Sequence, residues 1–227
     1  GSCIYDYLES QQCSSYKEIL FTQEKDFYAQ KAFLLYSLDI SGIQDFIYTI
    51  YSKGALKALR ARSFYLEMFM ENLLDELLVK LKLARTNIIY AGGGHAYLIL
   101  ANTNSTKTVI EEFEKELNKW LLDTFKTALY IGGGYAECSA DDLQNKNQGS
   151  YKSLFSDISQ IISKKKMARY SASDIIKLNH EHKPEGEREC IVCHRTDHLV
   201  DDKCEVCNSL ENMSNSILND DFFVITG

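Results

Sequence analysis

The 227-residue sequence holds one proline, Pro184, and one tryptophan, and nowhere runs apolar long enough to span a membrane. No segment reads as a signal peptide, so its seven cysteines do not suggest a disulfide framework. Base is scarce too: 25 Lys and Arg against 32 Asp and Glu leave a net charge of -7. The whole surface is therefore no nucleic-acid magnet, and any such contact must come from local patches. What is present is core material, at 45% hydrophobic and 11% aromatic residues. That suffices for one large domain, or a medium domain and a small one. Gly1-Ser2, with no methionine before them, read as a cloning scar, and the chain is expected to be a piece of something longer.

Hydrophobic patterning sets out the elements. "FLLYSLDI" (33–40) is an apolar run ending in an acid, as a buried strand would be. Ser41 and Gln44 suggest a capping box and a helix start. From Leu66, apolar residues at 66, 69, 70, 73, 74, 77, 78 and 81 mark a long amphipathic helix. Strands at 87–91 and 96–101 flank a glycine tip, and a helix at about 105–125 presents Val109, Phe113, Leu117, Trp120 and Leu121. A strand over 127–139 contains glycines, the sign of a bulge or a close neighbouring backbone. A helix near 151–168 follows a polar loop. Strand, helix, strand, strand, helix, strand is the ferredoxin-like βαββαβ order of an α+β fold, an antiparallel sheet with helices on one face. The expected divisions are a helical linker remnant (1–30), the sheet domain (31–140), a linker and helix (141–184), a cysteine segment (185–212) and the start of a further segment (213–227).

The cysteine segment, "CIVCHRTDHLVDDKCEVC", places Cys190, Cys193, Cys204 and Cys207 in two C-x-x-C knuckles ten residues apart. Four thiolates at that spacing close a tetrahedron around zinc, with no position left for water. The segment between them is too short and polar to fold on apolar burial alone, and a metal supplies what is missing. A redox C-x-x-C pair is the competing reading. His194 and His198 are alternative ligands only if a cysteine is left out.

"IIYAGGGHAYLIL" (88–100) raises a second site. In a split βαββαβ sheet the end of the first strand lies beside the central hairpin tip. Asp39 would then face Gly92, Gly93, Gly94 and His95, with Ser41 and Gly42 at the following helix start. Helix N-termini and glycine-lined backbone suit phosphate. On chemistry alone an equal reading stands: Asp39 caps the helix, and the glycines only tighten a turn. Two basic patches, "YSKGALKALRAR" (51–62) with Lys53, Lys57, Arg60 and Arg62, and "KKKMAR" (164–169), suit phosphate contacts or plain solvated faces.

"LYSLDISGIQDFIYTI", "LKALRARSFYLE" and "YAGGGHAYLIL", followed by a four-cysteine ribbon, resemble the large subunit of type III CRISPR–Cas effector complexes in its subtype III-A (Csm) form. The resemblance runs from about Cys3 to the end. It implies the first of two palm domains related to polymerases and nucleotide cyclases, with the zinc ribbon between the palms. It further implies a cytoplasmic antiviral assembly with guide RNA, target RNA and other effector subunits. In that family the second palm makes cyclic oligoadenylate from ATP through a Gly-Gly-Asp-Asp hairpin, using Mg or Mn, and an HD domain cuts single-stranded DNA. Here neither Gly-Gly-Asp-Asp nor a His-Asp dipeptide occurs, and Gly94-His95 stand where the active palm has two aspartates. The resemblance therefore implies a degenerate palm, inactive alone. Its Asp39, Ser41, Gly42, Gly92, Gly93, Gly94 and His95, with Lys57, Arg60 and Arg62, would form one wall of a composite ATP site. The alternative is a scaffold packing against neighbouring subunits and RNA.

Overall fold

The computed structural model describes residues 1–49, 55–180 and 188–219; Lys53 and the Pro184 boundary lie outside the described residues. Two compact units emerge: residues 1–41 with 71–169, and residues 42–70 with 170–227.

The first unit opens with α1 (Ser2–Ser10) and α2 (Glu24–Ala29), then β1 (Phe33–Ser41). The short α3 (Ile43–Tyr48) follows in the second unit, and α4 (Ala55–Lys80) belongs to both. Back in the first unit come β2 (Ile88–Gly92), β3 (His95–Ala101), α5 (Asn104–Phe125), β4 (Tyr130–Cys138), α6 (Ala140–Leu143) and α7 (Ser150–Met167). The second unit closes with α8 (Ala172–His180) and α9 (Glu205–Asn219).

The strands form one antiparallel sheet in the order β2-β3-β1-β4, the expected ferredoxin-like arrangement. β1 is central and buried on both faces, as its unbroken apolar run requires. The outer edge of β4 is partly covered by Asn118 of α5. Its side chain accepts from the Ile131 N–H at 2.9 Å and donates to the Ile131 carbonyl at 2.8 Å, completing that residue's ladder bonds.

Of the periodic apolar residues expected on α4, Leu66, Met70, Leu73, Leu74, Leu77 and Leu78 are buried and Phe69 is half-buried, while Leu81 falls just past the helix end. On α5 the buried stripe is rotated from the expected one. Ile110, Phe113, Glu114, Leu121, Leu122 and Phe125 are inside, whereas Trp120 is 44% exposed, edge-on to Phe125. A further helix covers the sheet's other face. Ile158 and Ile162 of α7 pack with Leu154 on Leu35 and Cys138, flanked by Tyr97, Ile99 and Ala136.

The expected Ser41–Gln44 capping box is not formed. Ser41 stays in β1, paired with Tyr130, so the N-cap falls on Gly42, whose φ of 90° turns the chain into α3. Glycine reaches that left-handed conformation at no steric cost. A capping box does occur at Ser139, whose side chain and that of Asp142 satisfy each other's backbone N–H at the start of α6.

Candidate nucleotide wall and metal centre

β1 ends beside the hairpin tip, as the topology dictates. Asp39 is the cross-strand partner of His95 on β3 and of Gly132 on β4, and the Ile40 N–H donates to the Gly94 carbonyl at 2.8 Å. Gly93 and Gly94 have φ of 61° and 81°, the pair of left-handed residues that a two-residue type I′ hairpin needs. Two of the three glycines thus serve the turn. Gly92 remains in β2, where an added Cβ would lie 3.1 Å from Tyr90 Oη. A Cβ on Gly93 would meet nothing within 4 Å, so the tip faces open space.

Asp39 is not a bare carboxylate. Lys166 of α7 donates to one of its oxygens, and His95 Nδ1 lies 3.8 Å from the other. His95 Nε2 is 3.3 Å from Ser37 Oγ, and its ring meets Tyr97 edge-on at 4.6 Å between centroids. Burial pushes the Asp39 pKa upward, but the nearby His95 and the hydrogen bond from Lys166 outweigh it and hold the carboxyl below the usual range. Ser41 Oγ, on the same face two residues on, is buried with no hydrogen-bond partner among the described residues. One carboxylate already paired with a lysine does not make a two-metal site.

The basic patches divide. In "KKKMAR", Lys165 binds both Glu114 oxygens at 3.0 and 2.7 Å and Lys166 binds Asp39. Arg169 donates to the Lys166 carbonyl at 3.1 Å and lies over the Tyr130 ring at 5.7 Å. Sequence reasoning marked this run only as a charge patch and missed Lys166 at the Asp39 site. No local signal reveals it, because the contact spans 127 residues. In the second unit Lys57 and Arg60 are exposed, with Lys57 Nζ 3.4 Å from Asn215 Oδ1. Arg62 departs from the expected phosphate-binding group. It is 3% exposed, and its guanidinium is committed to the Phe46 carbonyl and to Cys207.

The four cysteines come together as expected. Their sulfurs all lie within 4.8 Å of one another, and tetrahedral coordination at about 2.3 Å per bond asks for separations of about 3.8 Å. Cys190, Cys204 and Cys207 are buried and Cys193 half-buried. Tight turns build both knuckles. The Cys190 N–H donates to the Arg195 carbonyl at 2.9 Å around a left-handed His194, and Val200 and Lys203 bond each other across left-handed Asp201-Asp202. Asp tolerates that conformation better than most residues. Without a cation the sulfurs share few charges: Cys193 and Cys207 hold Cys204 below the ordinary thiol range. Hydrogen bonding with Cys204 pushes Cys193 up to about 11, and that with Cys193 pushes Cys207 well up. A bound dication would discharge the remaining protons, so the set fits a metal ion.

A family model described as "Csm1 subunit domain B" matches residues 32–181. The chain belongs to the Csm1 family. A Cas10/Csm1 single-strand-specific deoxyribonuclease of CRISPR subtype III-A from Mycobacterium tuberculosis is 47% identical over 233 residues, covering 96% of this chain and 29% of that protein. The corresponding Enterococcus italicus protein is 44% identical, over 100% of this chain and 30% of its own length. The chain thus spans about 30% of the Csm1 proteins that it matches. Among solved structures, an apo Csm1–Csm4 cassette has a TM-score of 0.63 at 27% identity, covering 77% of this chain and 23% of that one. A cassette in complex with pppApA has a TM-score of 0.62 at 28% identity, covering 71% and 22%. The chain is therefore part of the large subunit of a type III CRISPR effector. Its domain-B region contains the sheet, Asp39, the glycine tip and Lys166.

Proposed function

We propose that this part of Csm1 is a non-catalytic palm that supplies one wall of a composite ATP site, the partner palm lying elsewhere in the full-length protein. Gly93, Gly94, His95 and Ser41 would line that wall, with Gly92 and Gly42 setting its backbone, and Asp39 and Lys166 at its floor. Apart from that wall, Lys57 and Arg60 of the second unit would meet a phosphate, of nucleotide or RNA. The observation that carries the reading is the state of Asp39, the single carboxylate of β1's end, already paired with Lys166 beside a tip of glycines. Such a surface offers an imidazole, a lysine and open backbone to a nucleotide, and no acid to activate a hydroxyl.

Relatives support the nucleotide assignment, since Csm1–Csm4 cassettes have been solved in complex with one ATP and with cA4. On this reading the full-length protein makes cyclic oligoadenylate with Mg or Mn in the complete two-palm site, cuts single-stranded DNA, and assembles with Csm4-like subunits and with guide and target RNA. The metal of the cysteine cluster is proposed to be zinc, because four thiolates in a closed tetrahedron favour it.

The test is ATP titration of the assembled effector carrying wild-type sequence, Gly94→Val or His95→Gln, with thermal stability measured in parallel. Weakened ATP binding at a nearly unchanged melting temperature supports the wall. Unchanged binding, or loss of binding in step with stability, assigns the tip to turn geometry and the palm to a scaffold role.

A further inference from the structure

Arg62 lies in the second turn of α4, 3% exposed. Its Nη1 donates to the Phe46 carbonyl at 2.9 Å and its Nη2 to Cys207 Sγ at 3.4 Å, while its guanidinium stacks on the Phe46 ring at 4.9 Å. Phe46 belongs to α3, which is only six residues long. Cys207 is on α9. One side chain therefore ties three helices of the second unit together.

The chemistry of that burial is unusual. A guanidinium stays charged at any pH at which a protein folds, and a buried charge is costly unless an anion faces it. Among the described residues Arg62 has no carboxylate partner within salt-bridge distance; its guanidinium faces the Phe46 carbonyl and a sulfur of the cysteine cluster. Without a metal the partly protonated cluster offers that cation less negative charge than four thiolates would. Four thiolates around a dication carry a net charge of about -2, and a hydrogen bond to one of those sulfurs both satisfies the cation and draws off part of the excess. A loaded cluster beside Arg62 would compensate its burial more fully than the metal-free one.

We propose that Arg62 is the countercharge of the metal–thiolate cluster, a positioning residue through which metal loading fixes α3 and the start of α4 as well as the cysteine segment. The metal is then not a local staple of 190–207. It organises the stretch that leads out of β1, through a contact that spans 145 residues of sequence. The inference does not depend on the nucleotide reading, since it concerns the second unit alone.

Two measurements on the full chain decide it. In the first, zinc is stripped from the wild-type protein with a strong chelator and backbone hydrogen exchange is followed with and without the metal. The expected result is loss of protection in 43–48 and 56–66 together with 190–207; protection lost only in 190–207 overturns the proposal. In the second, zinc release to a chromophoric chelator is timed for wild type, Arg62→Met and Arg62→Lys. Arg62→Met is expected to weaken zinc retention by about tenfold or more, the range seen when groups supporting a ligand are removed, with partial rescue by Arg62→Lys. Equal retention in all three overturns it, and should Arg62→Met not fold, the exchange experiment stands on the wild-type chain.

Discussion

Two glycine triplets, 92–94 at the β2–β3 tip and 132–134 within β4, read almost alike as "YAGGGHAY" and "YIGGGYAE", yet the fold uses them for opposite reasons. At the tip the demand is conformational: Gly93 and Gly94 sit at positive φ, with empty space where a Gly93 side chain would go. In β4 the backbone is ordinary strand and the demand is spatial. A Cβ on Gly134 would lie 3.1 Å from the Ile158 carbonyl of α7, and one on Gly133 would lie 2.6 Å from Glu114 and 2.7 Å from the Tyr36 hydroxyl. Glycine at the tip lets the chain bend; in β4 it lets a helix and a buried carboxylate come close. Asp39 lies between the two, opposite His95 on one side and Gly132 on the other.

The comparison breaks most sharply at Gly133. Gly133→Ala is expected to cost about 3 kcal/mol, near the upper end for overpacking, because the Tyr36 ring is fully buried and moving Glu114 aside would disturb its ion pair with Lys165. Gly134→Ala, against a helix carbonyl that can shift a little, is expected to cost about 2 kcal/mol. Denaturant midpoints at constant slope would measure both, and a neutral result at Gly133 would refute the spatial account. At the tip, Gly93→Ala should cost about 1 kcal/mol from backbone strain alone, and Gly93→Asn should recover most of it. Equal losses for Ala and Asn would point to a steric cause instead.

Between the triplets, Asp39→Asn or Lys166→Met should cost about 1 kcal/mol at neutral pH, the ordinary scale of a partly exposed pair. Because folding lowers the Asp39 pKa, that contribution is complete above the unfolded value of about 4. It fades as pH falls through the lower folded pKa. Stability curves of wild type and Asp39→Asn should therefore converge in acid; a constant gap down to the lowest pH would exclude the clasp. Smallest of all, Gly92→Ala should change stability by less than about 0.5 kcal/mol, since it meets only the tip of Tyr90, a half-exposed ring free to turn aside.

Much of this is legible in the sequence itself. The apolar run of β1, the stepped leucines of α4, and the strand–tip–strand around Gly92 to Gly94 are local patterns, each spelled within one element, and they gave the element order and hence the sheet. The cysteine knuckles were legible for the same reason: a tetrahedral ion demands short, fixed spacings. The glycines of β4 announced a close neighbour without naming it. The rotation of α5 that leaves Trp120 out was not legible, because which side of a broad apolar stripe faces the sheet depends on how the helix is docked.

By itself, then, the sequence determined which segments are strands and helices, their ferredoxin-like order, and the four residues that can close around a metal, because backbone period and ligand spacing act over a few residues. Only the tertiary structure decided that Lys166 reaches Asp39, that α7 covers the sheet's second face, and that Arg62 turns inward to Cys207 rather than outward to a phosphate. Those outcomes join groups far apart in sequence, where the deciding quantity is which apolar face or polar partner a side chain finds beside it once the chain has packed.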